Sequence, residues 1–491
     1  MKAQCSLFEC RALAVNRRCS INFLKRINGR LAACTLCGWS GQRWLFAKAD
    51  ARPRAGGSIL SNSNRRGIVD WQHQRVESAA HCERQDALFE DLAPVRVMNL
   101  AGTNGSLTRY GRCPPAERQM KIAQIAPLME SVPPRLYGGT ERVVSHLTEE
   151  LARQGHDVTL FASGDSVTSA RLVAGTAQAI RLNSAIQDHV PHYMIMLDKL
   201  RRCAHQFDIL HFHIDAFHMP LFRDMAAKTL TTLHGRQDLP DLLPMYRAFP
   251  EMPLVSISNA QRMPIAEANF AKTIYHGLPL DLLRPNYEPR GGYLAFLGRI
   301  SPEKRPDRAI AIASALGLRL KIAAKVDKAD ECYFREAIAP LLDRPGVEFV
   351  GEINDRDKIK FLGDALALLF PIDWPEPFGL VMIEAMACGT PVLGFRCGSV
   401  SEIIDDNLTG RVVASVDEAV RLLPQVIRLD RRAVRRRFED RFSAARMATD
   451  YLSVYRGLNR GVIPELARRN LLLGPNVIAL PLKNGVSNHA N

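Results

Sequence analysis

The run DWPEPFGLVMIEAMACGTPVL, Asp373 to Leu393, holds two carboxylates, Glu376 and Glu384, with seven residues between them. Glu376 sits in a turn between Pro375 and Pro377. Glu384 falls inside an apolar helical stretch that ends at a tight Cys-Gly-Thr-Pro break. A carboxylate accepts hydrogen bonds from hydroxyls, so such a pair is able to grip two sugars on either side of a diphosphate. Phe378, Gly379 and Leu380 lead into the helix, whose N-terminus favours an anion. The competing reading is a loop acid plus one solvent-facing helix acid. The neighbours of Glu384 (Met382, Ile383, Ala385 and Met386) argue against a fully solvated face.

Three other loops carry unusual chemistry. In LGRISPEKRPD, Arg299 leaves a strand and Lys304 follows five residues later at a helix start. Helix N-termini favour acids, so two cations there cost electrostatic stability unless an anion such as a diphosphate joins them; two solvated cations are the alternative. In RLYGGTER, Gly138 and Gly139 precede a helix and let backbone N–H groups approach a phosphate or sugar closely, or else form a plain turn. In TLHG, His234 ends a strand, where a lone histidine is more often structural than chemical. His211 and His213 alternate along ILHFHID and read as packed residues. No acidic cluster at ligand spacing accompanies them, so a metal site is not expected.

These loops need a scaffold that brings strand ends together. From Met120 the chain alternates short apolar runs with amphipathic stretches: KIAQIAPL, DVTLFAS, FDILHFHI, TLTTLHG, LVSIS and KTIYHG read as strands. GTERVVSHLTEELARQG reads as a helix, with Val143, Val144, Leu147 and Leu151 on one face and Gly155 as its stop. LRPNYEPRGG, Leu283 to Gly292, breaks the rhythm as a linker. The pattern then restarts with YLAFLGRI, a helix over EKRPDRAIAIASALG, and LRLKIAAK, VEFVGE, LALLFPI, PVLGF and GRVVA. Such alternation predicts an α/β fold of two Rossmann-like, doubly wound halves facing across a cleft. The boundaries expected are 120–287 and 288–441, a helix over 442–460, and a tail over 461–491. In such sheets ligands bind beyond the carboxyl ends of the strands.

The chain has 491 residues, room for about three units at roughly 150 residues each. No stretch approaches the roughly 18 apolar residues of a membrane span. The formal charge of +14 would suggest nucleic acid, but its location decides otherwise. Residues 1–119 hold 19 of the 65 lysines and arginines and 9 of the 51 acids, so that segment carries +10 and the remainder +4. Seven of the 11 cysteines also lie there, whereas the body has four scattered ones and no disulfide framework. The CTLC run, Cys34 to Cys37, has half the spacing of a zinc site without a second pair; unpaired thiols are the alternative. The first 48 residues are Arg-rich with one acid, Glu9, as in a transit peptide, though without its amphipathic pattern. Residues 1–119 are expected to be a disordered extension without a catalytic role, and an upstream misassigned start is one account of it.

Together, Arg299…Lys304, EPFGLVMIE and AMACGTPVL resemble the retaining glycosyltransferases of family 4, the glycogen-synthase-like and mannosyltransferase-like group with the GT-B fold. The likeness covers roughly residues 120–460. GG at 138–139, TTLHG at 231–235 and YHGLPLDLLRP at 275–285 are weaker elements of it. The resemblance implies that Arg299 and Lys304 bind the donor diphosphate, Glu384 the ribose hydroxyls, and Glu376 and His234 the transferred sugar. Gly138 and Gly139 would border the diphosphate and acceptor, with Phe378, Gly379 and Leu380 completing the donor site. It implies a retaining hexosyltransferase whose donor is a nucleotide sugar, UDP-sugar by family prevalence, and in which Glu376 positions rather than attacks. The acceptor would be a glycan, a lipid-linked glycan or a small molecule. No D-x-D motif follows a strand, and IDW at 372–374 lacks the second acid, so neither a divalent metal nor another cofactor is expected. Cytoplasmic placement, at most peripheral at the membrane, follows. Two rivals are a nucleotide-sugar 2-epimerase or hydrolase on the same scaffold, and a non-enzymatic nucleic-acid binder acting through the basic N-terminal segment.

Overall fold

The computed structural model describes residues 22–27, 30–35, 118–135 and 138–461. Within the 1–119 extension it describes an antiparallel strand pair, β1 (Asn22–Ile27) and β2 (Arg30–Thr35), in a segment whose sequence shows no strand period. The expected disorder of the rest of that extension, the side chains of Cys34 and Cys37, and the tail after Gly461 lie outside the described residues.

Beyond residue 120 the strands sort into two parallel sheets. The first holds β3 (Lys121–Ile125), β4 (Asp157–Ser163), β5 (Arg171–Thr176), β6 (Ile209–Phe212), β7 (Thr229–Thr232), β8 (Leu254–Ser256) and β9 (Phe270–Thr273). Its order is β5-β4-β3-β6-β7-β8-β9. The second holds β10 (Tyr293–Ile300), β11 (Arg319–Val326), β12 (Val347–Gly351), β13 (Ala367–Phe370), β14 (Val392–Phe395) and β15 (Gly410–Val413). Its order is β12-β11-β10-β13-β14-β15. Both are doubly wound, and the chain reverses direction beside β3 and beside β10. Edge strand β5 escapes a reading by apolar runs because most of its side chains stay partly or fully exposed. The run KTIYHG is a strand only at its start: Lys272 and Thr273 end β9, and the strand stops before Ile274.

The apolar runs are strands buried on both faces, as parallel sheets with helices on either side require. Side-chain alternation then distributes each strand between two cores. Leu294 and Phe296 of β10 pack with Ile310 and Leu422, whereas Tyr293 and Ala295 pack with Phe361, Met386 and Phe438. In the first sheet Ile122 faces Val143, Leu147 and Tyr451, and Ala123 and Ile125 face Leu197 and Phe222.

The helix expected over 442–460 is Ala444–Asn459, capped by the Ser443 hydroxyl, which accepts from the Arg446 N–H. Met447, Ala448, Tyr451, Leu452, Tyr455 and Leu458 form its buried stripe against the first half. The chain thus crosses between the halves twice, and the crossings are bonded together: Leu278 N–H donates to Phe442 O at 2.9 Å, and Ala444 N–H donates to Leu278 O at 2.8 Å. Among the described residues no helix is long and apolar enough to cross a membrane.

Candidate active site

The loop after β13 holds the first glutamate. Asp373 is anchored by Arg305 and Arg308, each at 2.9 Å, and its N–H donates to Glu303 O at 2.8 Å. Ser399 N–H donates to Glu376 O at 3.0 Å. Gly398, at φ +55°, lets its loop press onto the Glu376 backbone, because a Cβ there would collide with Glu376 N and O. Glu376 is 9% exposed, and its carboxylate accepts from Trp374 Nε1–H at 2.9 Å. It also forms an ion pair with Lys304 through the same oxygen, Oε2.

Gly379 then starts the helix Leu380–Ala387. Its φ of +80° and the Met382 Cε only 2.6 Å from any added Cβ make glycine the residue that fits. Glu384 lies in this helix, 5% exposed, and pairs with Lys358 Nζ at 2.8 Å, so it is not a solvent-facing acid.

Lys304 departs from expectation. It does not stand in the first turn of a helix but closes a separate 3-10 turn, Pro302–Lys304. Arg305, in the left-handed region at φ 52°, then breaks the chain before the helix Pro306–Ala315. A residue before proline is disfavoured in the right-handed helical region, so Pro306 enforces the break. Lys304 Nζ rests 4.8 Å from the Trp374 ring centroid. Arg299, near the end of β10, faces Glu303 at 2.5 Å and Asp327 and Asp330 at 3.6 Å each. Neither cation is therefore simply solvated.

From the other half, the helix Gly139–Arg153 directs its N-terminus at the same space. Gly138 packs so closely that a Cβ would meet Pro134 Cβ at 2.8 Å, and a Cβ on Gly139 would touch Leu380 Cδ1 at 3.6 Å. Two helix starts therefore face each other across the cleft. Arg142 of the first helix reaches the second half and pairs with Asp355.

His234 follows β7 and belongs to a buried polar network. Gln124 Oε1 only accepts, so His213 Nε2–H donates to it at 2.8 Å. Burial holds His213 well below the usual histidine pKa, so the ring is neutral and its Nδ1 accepts from His234 Nε2–H at 2.9 Å. His234 itself is pushed down to about 3 by burial. Its Nδ1 is consequently a bare acceptor, with no hydrogen-bond partner among the described residues. Beyond Gln124 the network continues through Tyr455 OH, which donates to His211 Nδ1 at 2.7 Å, and Thr232, bonded to Tyr451 OH at 2.9 Å. His276 stacks on His234 with ring centroids 5.4 Å apart.

All ten sequence-derived positions (Gly138, Gly139, His234, Arg299, Lys304, Glu376, Phe378, Gly379, Leu380 and Glu384) line one cavity of about 560 Å³. This is within the size range of small-molecule sites. The cavity is also lined by Glu141, Arg142, Arg181, Lys358 and Trp374, which the sequence reading did not single out. Trp374 carried a signal, an aromatic two residues before Glu376. Lys358 and Arg142 carried none, because their partners lie on other elements. Among the described residues no group of three or more His, Cys, Asp or Glu is placed to hold a metal ion.

Comparison with known proteins identifies the family. The family model described as Glycosyltransferase Family 4 matches residues 137–281, and Glycosyl transferases group 1 matches residues 286–441. The chain is 32% identical over 186 residues to the D-inositol 3-phosphate glycosyltransferase of Salinispora arenicola (strain CNS-205), covering 34% of this chain and only 41% of that protein. It is 23% identical over 366 residues to the N-acetyl-alpha-D-glucosaminyl L-malate synthase of Bacillus anthracis, covering 65% of this chain and 93% of that one. Among solved structures, Anabaena Alr3699/HepE, crystallised with UDP and glucose, superposes with a TM-score of 0.54 at 15% identity, over 69% of this chain and 100% of that one. The chain belongs to the family 4 glycosyltransferases and has their GT-B fold.

Proposed function

We propose that the protein is a retaining hexosyltransferase that moves a sugar from a nucleoside-diphosphate sugar to an acceptor hydroxyl, without a divalent metal. The carrying observation is the convergence of Arg299, Lys304, Glu376, Glu384 and two helix N-termini on one cavity. Glycosyl transfer develops an oxocarbenium-like sugar and a departing diphosphate. Fixed cations and helix N-termini in a closed cleft stabilise that charge more than water does. Lys304 and Arg299 fill the charge-neutralising role that a metal ion plays elsewhere, which supports metal independence.

In this reading Glu384 takes the ribose hydroxyls, and the loop start at Phe378–Leu380 takes the diphosphate. Glu376 and the bare Nδ1 of His234 accept hydrogen bonds from hydroxyls of the transferred sugar. The C1–O bond to the diphosphate breaks with its electron pair leaving on the phosphate oxygen. The acceptor oxygen bonds to C1 from the same face, and its proton passes to the departing phosphate. Glu376, held by Lys304 and Trp374, orients the sugar.

UDP is the favoured nucleotide; the neighbour crystallised with UDP and glucose supports that choice through fold alone. The relatives named for inositol phosphate and malate suggest a small polar acceptor, which Arg142, Arg181 and Glu141 would border; glycan and lipid-linked acceptors are the other classes. The four free cysteines of the body suit the cytoplasm, with peripheral membrane contact at most.

The test is incubation of the full chain with UDP-, GDP- and ADP-sugars, with and without candidate acceptors, in excess chelator. Acceptor-dependent release of nucleoside diphosphate in chelator supports the proposal. Free sugar or an epimer formed without acceptor indicates the epimerase or hydrolase reading instead. Activity lost in chelator and restored by magnesium overturns metal independence.

A further inference from the structure

We infer that Trp374 is a positioning residue that keeps Glu376 aimed at the transferred sugar while Lys304 turns to the donor diphosphate. The inference rests on the donor-site reading above. Three groups meet here. Trp374 Nε1–H donates to Glu376 Oε2 at 2.9 Å, Lys304 Nζ binds that same oxygen, and the Lys304 ammonium lies 4.8 Å from the Trp374 ring centroid. The other carboxylate oxygen, Oε1, makes no hydrogen bond among the described residues.

The arrangement separates two jobs. A diphosphate carries more charge than one carboxylate and competes for Lys304. If Lys304 were the sole restraint on Glu376, donor binding would release the carboxylate into rotamers that miss the sugar. The indole N–H prevents this. It is a donor only, so it holds a carboxylate oxygen and leaves Oε1 to accept from a sugar hydroxyl. The ring face meanwhile gives Lys304 a cation–π contact that does not depend on Glu376.

Trp374 itself is well held. Asp373 before it is tied to Arg305 and Arg308, and Pro375 follows it. It is nevertheless only partly buried and lines the cavity, so its bulk does not serve the core alone.

The test uses the full chain with Trp374→Phe, which keeps a ring beneath Lys304 and removes the N–H, and Trp374→Leu, which removes both. The probes are UDP against UDP-glucose and GDP against GDP-mannose, titrated calorimetrically, alongside thermal melting. The wild type should bind one nucleotide sugar more tightly than its bare nucleotide. Trp374→Phe should leave bare-nucleotide affinity within about twofold yet weaken the nucleotide sugar by roughly tenfold, as loss of a hydrogen bond to a charged group implies. Trp374→Leu should weaken both. In a Glu376→Gln background, Trp374→Phe should add little.

Equal affinities in wild type and Trp374→Phe overturn the inference. So does a parallel fall of both affinities with the melting temperature, which marks a merely structural residue. Binding of a bare nucleotide with no preference for its sugar form in the wild type removes the Glu376–sugar contact and the inference with it. Failure of the wild type to bind any of the four probes overturns the inference, and failure to bind ADP as well overturns the donor-site reading itself.

Discussion

Lys358 Nζ donates to Glu384 Oε1 at 2.8 Å, and the two side chains are only 13% and 7% exposed. Lys358 also lies 3.2 Å from Asp355, which pairs with Arg142 of the other half. The residue assigned to the ribose is thus the end of an ionic chain that spans the cleft. Breaking a buried pair from one side leaves an uncompensated charge, at about 3–5 kcal/mol. Lys358→Met should therefore destabilise the fold by an amount of that order. Adding Glu384→Gln should restore part of it, as read by chemical denaturation. Glu384→Ala should also erase the affinity difference between UDP and 2′-deoxy-UDP that the wild type shows.

The buried histidines predict an acid-sensitive fold. Burial pushes His218 and His234 down to about 3 and His146 to about 4, and His211, His213 and His276 also lie well below the ordinary value. For a base with a depressed folded pKa, the unfolded chain binds the proton first. Stability is then complete above the unfolded value of about 6.5 and declines as pH falls toward the folded value. Each such group contributes up to about 1.4 kcal/mol per pH unit in that window. Scanning calorimetry should show the melting temperature falling steeply from pH 7 to pH 5, and His218→Gln should make that fall shallower.

Gly398→Ala should damage catalysis more than folding. A methyl group there collides with the Glu376 backbone, and φ +55° strains any other residue. The least costly relief is movement of the Trp374–Glu376 turn, which displaces the carboxylate. Turnover should fall by roughly a hundredfold, the scale of misplacement by about 1 Å. The loss of stability should remain within about 1–3 kcal/mol. Steady-state kinetics beside thermal melting separates the two.

Much of this site is visible in the sequence because its groups stand where strands end. Arg299, His234 and the Glu376 turn each follow an apolar run, and a doubly wound sheet brings such ends together. The glycine starts at 138–139 and 379 mark the two helix N-termini for the same reason. What is hidden depends on contact between distant elements. Lys358 is an ordinary lysine in a polar helix until the Leu380–Ala387 helix packs beside it. Arg142 acquires meaning only when the halves face each other. The separate turn holding Lys304 was masked because Pro306 starts the helix and the residues before it still read as helical. The histidine network runs from β3 to β6 and β7 and on to a helix more than 200 residues later in the chain, a connection no local pattern encodes.

In the proposed function, Lys304 and Arg299 bind the diphosphate of a nucleotide sugar. Calorimetric titration of UDP, GDP and ADP into the full chain and its Lys304→Ala variant tests it most directly. One nucleotide should bind the wild type tightly, and its affinity should fall roughly tenfold or more in a variant that melts as a folded protein. No binding by the folded wild type to any of the three, or equal binding by the variant, would contradict it.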